Sequence, residues 1–296
     1  MEKAKPTPEQ VNVVLFHRDL DGMASAWAAW KLLGSKAKYI DVQYGEDLPD
    51  DEVLAGKHIA IVDFSYKPEP MARLMGLAES VIVLDHHDSV LKDYPDGHPN
   101  IDIDMRMSGA MLSWRWFHPG IGPCDAVYLV QDYDLWRWEL VDTRAFHYGI
   151  QGIPWKEEHL ADFDLAMTNL PATIAKGQTL CEYVDSHIKR GVRKGVLVTI
   201  ADTGVKAWMY NGHVPWYSEL GHALINQEGP VDVALIWTYL GDQGACACSL
   251  RSRKGGTHVG DLGRQLGGGG RETTAGFTWH GPVEKLFTRI EEDPGA

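Results

Sequence analysis

A chain of 296 residues, 44% hydrophobic and 23% charged, is long enough for a large core and for two domains rather than one. Its formal net charge of −13, from 41 acidic against 28 basic residues, disfavours tight binding to long duplex DNA, where affinity rests on Lys and Arg contacts to phosphate. No stretch approaches the ~18 apolar residues of a membrane span. The N-terminal MEKAKPTPEQ has no apolar signal core, and Cys124, Cys181, Cys246 and Cys248 form no Cys-x-x-Cys pair; the expectation is a cytoplasmic protein without a zinc knuckle.

In chain order, VNVVLF (11–16) is a short apolar run rich in β-branched residues and reads as a strand. MASAWAAWKLLG (23–34) reads as a helix stopped by Gly34. Strands follow at AKYIDVQY (37–44) and HIAIVDF (58–64), a helix near 68–80, and a strand at VIVL (81–84). This alternation predicts an α/β fold with a doubly wound, mainly parallel sheet. SGAMLSWRWF (108–117) and CDAVYLVQDYD (124–134) read as helices, the first with Ser108 as its N-cap. Residues 179–198 read as one long connecting helix. GVKAWMYN (204–211), VDVALIWTYL (231–240) and ACACSLRS (245–252) then read as strands of a second, smaller α/β domain closed by a helix over VEKLFTRIEE. The expected division is 1–175, a helical linker at 176–203, and 204–296. Tryptophans at 27, 30, 114, 116, 136 and 138 read mainly as core.

Three of the predicted strands run into side chains that bind metals. VNVVLF leads to His17-Arg18-Asp19-Leu20-Asp21-Gly22, HIAIVDF carries Asp63 near its end, and VIVL leads to Asp85-His86-His87. Ligands of an open α/β sheet bind beyond the carboxyl ends of its strands, where strand order reverses. If these strands are adjacent, four carboxylates and three imidazoles meet in one small volume, and bare carboxylates held so close repel one another. One such strand end is commonly a polar turn; three together point to bound cations. Without a thiolate, the mixed carboxylate and imidazole set favours Mn²⁺, with Fe²⁺, Co²⁺ or Mg²⁺ as alternatives. So many ligands suggest two ions about 3.5–4 Å apart, the arrangement suited to in-line displacement at phosphorus.

The H-x-D-x-D-G at 17–22, the strand-end Asp63 and the Asp85-His86-His87 triplet together resemble the DHH phosphoesterases, of the RecJ-like and oligoribonuclease-like kind. GGGGRETTAGF (267–277) resembles the G-G-G-H…A-A-G-F segment of their C-terminal DHH-associated domain, and VQDYDLWRW (130–138) falls where a fourth metal motif is expected. The resemblance implies that His17, Asp19 and Asp63 hold one Mn²⁺, and that Asp21, Asp63, His86 and an Asp of the fourth motif hold the other. Asp132 is preferred to Asp134 for that last position. It also implies that His87 faces the scissile phosphate as hydrogen-bond donor or general acid, with Asp85 orienting a ligand histidine. In the C-terminal domain, which grips substrate in this family, Arg251 is a candidate for a bidentate phosphate contact. Gly268, Gly269 and Gly270 would let backbone N–H groups approach phosphate closely. Arg271 stands where the family usually has His; it binds phosphate but donates no proton near neutral pH.

The expectation is a manganese-dependent phosphohydrolase of nucleotides or short oligonucleotides, with no membrane partner; a homodimer is compatible with it. The alternatives are a phosphatase of nucleoside 3′,5′-bisphosphates, a cyclic dinucleotide phosphodiesterase, and, from another class, a non-catalytic scaffold that has lost its ligands.

Overall fold

A computed structural model describes residues 3–213, 215–227, 229 and 231–290. The chain divides into two compact units, residues 1–181 and 182–296. In the first, β1 (Val13–His17), α1 (Leu20–Leu33), β2 (Lys38–Val42), α2 (Asp51–Leu54), β3 (His58–Val62), α3 (Pro68–Leu77), β4 (Ser80–Asp85), α4 (Asp88–Asp93) and β5 (Ile101–Ile103) alternate along the chain. Helices α5 (Gly109–Phe117), α6 (Asp125–Asp134), α7 (Thr143–Ile150), α8 (Leu160–Thr168) and α9 (Leu170–Arg193) follow. The strands form an all-parallel sheet in the order β2-β1-β3-β4-β5. Strand order therefore reverses at β1, and the crevice beyond the ends of β1 and β3 is the expected ligand position of such a sheet.

The runs VVLF, IAIV and VIVL are apolar throughout because both faces of this sheet are covered. Val14, Phe16, Ala60, Val62, Ile82 and Leu84 pack beneath α1, α5 and α6. Val13, Leu15, Ile59, Ile61, Val81 and Val83 face the opposite way, toward Leu54 of α2 and Met71 and Leu74 of α3. Trp27 and Trp114 are core residues stacked on each other at 5.5 Å. Strand β5 carries no apolar run and escaped the sequence reading; its three residues are only partly buried.

The second unit holds a seven-stranded mixed sheet built from β6 (Val196–Ile200), β7 (Lys206–Asn211), β8 (Val233–Leu240), β9 (Ala245–Ser252), β10 (Gly269–Gly270), β11 (Thr274–Trp279) and β12 (Phe287–Arg289). Its order is β10-β11-β9-β8-β7-β6-β12. Helices α10 (Tyr217–Ile225) and α11 (Val259–Gln265) complete it. Two sequence expectations need correction here. The connecting helix does not reach residue 198: it stops at Arg193, and Gly195 precedes the β-branched run VLVTI, which becomes β6. VEKLFTRIEE is not a helix either. Its apolar spacing is met by a short 3-10 turn that buries Leu286, after which Phe287 to Arg289 pair antiparallel with β6; residues 291–296 lie outside the described residues. No helix among the described residues is long and apolar enough to cross a membrane.

Candidate functional site

Strand adjacency brings the three ligand-rich ends together. His17 closes β1, and Asp19 then caps α1, its Oδ1 accepting from Gly22 N–H at 2.9 Å. Gly22 must be glycine because a Cβ there would sit 2.0 Å from the His17 carbonyl oxygen. Asp21, one step into α1, is 2% exposed; its carboxylate accepts from the Gly109 and Ala110 N–H groups at the start of α5, at 2.5 and 3.0 Å. Ser108 caps that helix as the sequence suggests, and the N–H groups that could have met a phosphate are given to Asp21 instead.

Asp63 lies just past β3 with φ of +56°, a left-handed conformation costly for a residue with a Cβ and found mainly where surroundings enforce it. Gly109 allows this close approach, since a Cβ on it would come within 2.4 Å of the Asp63 side chain. The result is a carboxylate whose two oxygens face two different imidazoles. Oδ2 is 3.6 Å from His17 Nδ1, and Oδ1 is 3.2 Å from His86 Nε2. Neither oxygen, nor His86 Nε2, makes a well-formed hydrogen bond, although all are buried. The rest of the cluster follows: His17 Nδ1 is 2.9 Å from Asp19 Oδ2, and His86 Nε2 is 3.6 Å from Asp21 Oδ2 and 3.5 Å from Asp134 Oδ2.

Electrostatics describe a site short of positive charge. Burial, with Asp21 and Asp19 nearby, pushes the Asp63 carboxyl well above the usual carboxylate range. Burial alone would lower the His17 pKa, yet Asp19 and Asp63 push it up to about 10. Burial likewise works to raise the Asp19 carboxyl, but His17 and the Gly22 N–H hold it low. A cation placed among these groups would satisfy more of them at once than a proton on any one. The donor set fits a hard or borderline divalent ion, and three overlapping groups have the spacing to hold one: His17, Asp19 and Asp63; Asp21, His86 and Asp134; and Asp63, His86 and His87. Gln43 adds to the fit. Its Oε1 lies 2.8 Å from His17 Nε2, which points Nδ1 at the carboxylates, the usual support of a ligating histidine.

Asp132, preferred at the sequence level over Asp134, is not in the cluster. Its carboxylate accepts from Glu139 N–H, Leu140 N–H and the Thr143 hydroxyl at 2.9, 3.2 and 2.5 Å, fastening the loop after α6. Two residues on, at the last turn of α6, Asp134 reaches His86. Asp85, fully buried, accepts through Oδ1 from its neighbours' N–H groups and from His87 Nδ1 at 2.7 Å, so the side chain it orients is His87 rather than His86.

The second unit contains a cavity of about 800 Å³ lined by residues including Tyr217, Trp237, Arg251, Gly269, Gly270 and Arg271. Arg251 is 7% exposed and lies over the Tyr217 ring. Its Nη1 donates to Ser249 Oγ and the Leu250 carbonyl, and its Nη2 to Ser218 Oγ, which uses three of the guanidinium's five N–H groups and fixes its plane in the cavity. Gly268 is turned to Gly276 and Phe277, where a Cβ would clash, and serves packing rather than the cavity wall. Gly269 and Gly270 pair with β11, and Arg271 is exposed.

Gln43 and Tyr44 carry no ligand signal in the sequence, where the run 37–44 reads as one strand; β2 stops at Val42 and the two residues beyond it belong to the same crevice. Strand order was the missing information: β2 neighbours β1, making its end a fourth contributor.

No family model matches this chain. The uncharacterized protein R106 of Acanthamoeba polyphaga mimivirus is 24% identical over 304 residues, covering 94% of this chain and 71% of that protein. Among solved structures, PggH, a pGpG-specific phosphodiesterase from Vibrio cholerae, is 14% identical over 90% of this chain and 93% of its own, with a TM-score of 0.54. The DHH domain of a member of the s1p family of ribosomal proteins is 13% identical over 94% of this chain and 85% of its own, with a TM-score of 0.57. The chain thus carries the DHH-domain fold that its motifs resemble.

Proposed function

We propose that this protein is a divalent-metal-dependent phosphohydrolase that cleaves phosphodiester bonds in short oligonucleotides or nucleotides, with Mn²⁺ as the preferred ion. The observation that carries this reading is the buried Asp63 carboxylate, placed between two imidazoles without a well-formed hydrogen bond at the strand-order reversal. His17, Asp19 and Asp63 would hold one cation; Asp21, Asp63, His86 and Asp134 would hold the other, with Asp63 shared. When bound, such ions acidify water and offset the negative charge that develops at phosphorus.

The remaining roles belong to the chain itself. Asp85 engages His87 Nδ1, which leaves Nε2 as the atom presented outward. In its imidazolium form that nitrogen donates to a phosphate oxygen or protonates the departing one. Gln43 holds the His17 ring in register, and the N–H groups of α5 hold Asp21. In the second unit, Arg251, Gly269, Gly270 and Arg271 line a cavity suited to an anionic group with an attached ring, beside Tyr217 and Trp237. The specificity of PggH for pGpG makes a 5′-phosphorylated dinucleotide the first substrate to try. A scaffold that had lost its chemistry would lack part of the ligand set, and each expected type is present.

The test is release of mononucleotides from a 5′-phosphorylated dinucleotide with Mn²⁺ and with chelator, beside His86→Ala. Metal-dependent cleavage that His86→Ala loses supports the proposal. Manganese binding without cleavage would redirect it to bisphosphates and cyclic dinucleotides, and absence of both would leave the scaffold.

A further inference from the structure

We propose that Tyr44 is a substrate-positioning residue that stacks the nucleobase attached to the reacting phosphate, making the preferred substrate a base-bearing phosphate rather than a bare one. This rests on the reading that the cluster receives a phosphoryl group. Tyr44 is 49% exposed, yet its ring stands at the edge of the cluster. The ring centroid is 5.1 Å from that of His17, 6.0 Å from that of His87 and 4.8 Å from that of Phe64. Phe64 is itself buried and stacks on His17. A base lies one sugar away from its phosphate, so a ring at the edge of the cluster is within reach of the base when the phosphate is held at the cluster.

The turn that carries Tyr44 is held on both sides. Its N–H donates to Gln43 Oε1 at 3.0 Å, and the same oxygen lies 2.8 Å from His17 Nε2. One amide oxygen therefore sets the ring and the cluster in common register. Beyond the ring, Gln43 N–H donates to Glu46, whose carboxylate takes both Nη atoms of Arg18 at 3.0 and 3.1 Å. Arg18 donates through Nε to Asp41 on β2. An aromatic face offered from a pre-ordered turn loses little freedom on binding. Stacking of this kind accepts any base, because each presents a π-face.

The experiment compares calorimetric binding of AMP and ribose 5-phosphate to the full chain in manganese buffer, for the unaltered protein, Tyr44→Ala and Tyr44→Phe. We expect AMP to bind about tenfold tighter than ribose 5-phosphate, the preference to vanish in Tyr44→Ala, and Tyr44→Phe to retain it. Equal weakening of both ligands in Tyr44→Ala would mean that the ring only shields His17, and would overturn the proposal. So would an unaltered protein that does not prefer AMP. In parallel, hydrolysis of thymidine 5′-(p-nitrophenyl phosphate) is compared with that of methyl p-nitrophenyl phosphate. If neither is cleaved while the Tyr44-dependent AMP preference stands, the phosphodiester-cleaving reading falls and the base-stacking role does not.

Discussion

The crevice of the first unit and the cavity of the second solve opposite problems. In the crevice, carboxylates outnumber the groups that could neutralise them, and the left-handed Asp63 and the side-chain-free Gly109 force them together. In the cavity the main charge is Arg251, already supplied with oxygen acceptors and a tyrosine face. The first arrangement is short of positive charge; the second has one cation whose plane is fixed by three hydrogen bonds and a ring.

The sharpest break of this contrast is Asp63→Asn. It should remove activity by at least about 10³-fold, roughly 4 kcal/mol of barrier, along with cation uptake seen by manganese titration. In chelator the same variant should melt higher by about 2–4 °C, because it relieves carboxylate repulsion; a fall in melting temperature would show that the cluster is not strained by charge. Gly109→Ala comes next. Its Cβ would meet Asp63, and we expect a loss of about 10–100-fold in metal affinity and about 1–3 kcal/mol in stability from overpacking, read by titration and chemical denaturation.

The pair Asp134→Asn and Asp132→Asn separates cluster from loop. The first should weaken manganese binding with little change in melting. The second should lower stability by about 1–3 kcal/mol, because Glu139, Leu140 and Thr143 lose a charged acceptor. The reverse pattern would return Asp132 to the ligand set. In the cavity, Arg251→Lys should raise KM about tenfold, near 1.4 kcal/mol, and leave kcat close to unchanged; a kcat effect of that size would give the second unit a part in the chemistry. The smallest effect at neutral pH concerns His147. Burial and the nearby Arg144 push its pKa down to about 3 from 6.5. Its neutral form is therefore the one folding favours, and the stability it contributes is full above pH 6.5 and lost as the pH falls. His147→Phe, which keeps a ring against Tyr133, should flatten that acid slope in pH-dependent melting.

Much of the first unit was legible because its strands are buried on both faces, so VVLF and IAIV needed no alternation to stand out. The three ligand-rich ends could be named from composition alone, and the sheet order places them side by side. What was not legible depends on direction. Asp132 and Asp134 are two residues apart on one helix, too near in sequence to separate by spacing, yet one points into a loop and the other toward His86. Similarly, the i, i+3, i+4 spacing of Val283, Leu286 and Phe287 suits a helix, and only the exposed edge of β6 turns that segment into a strand. Nothing local marks Val42 as a strand end, so the site role of Tyr44 has no signature in the sequence.

That last pairing has a consequence for how the protein is made. Residues 1–181 contain every strand of their own sheet within the first 103 positions, so that sheet has all its strands long before synthesis reaches the second unit. The second unit behaves otherwise: β6 at 196–200 waits for β12 at 287–289, almost ninety residues later, before its outer edge is covered. Between those moments a newly emerged β6 offers unpaired backbone to any neighbouring chain. Ribosome-bound intermediates halted before residue 287 are where aggregation, or the attention of a chaperone, should concentrate.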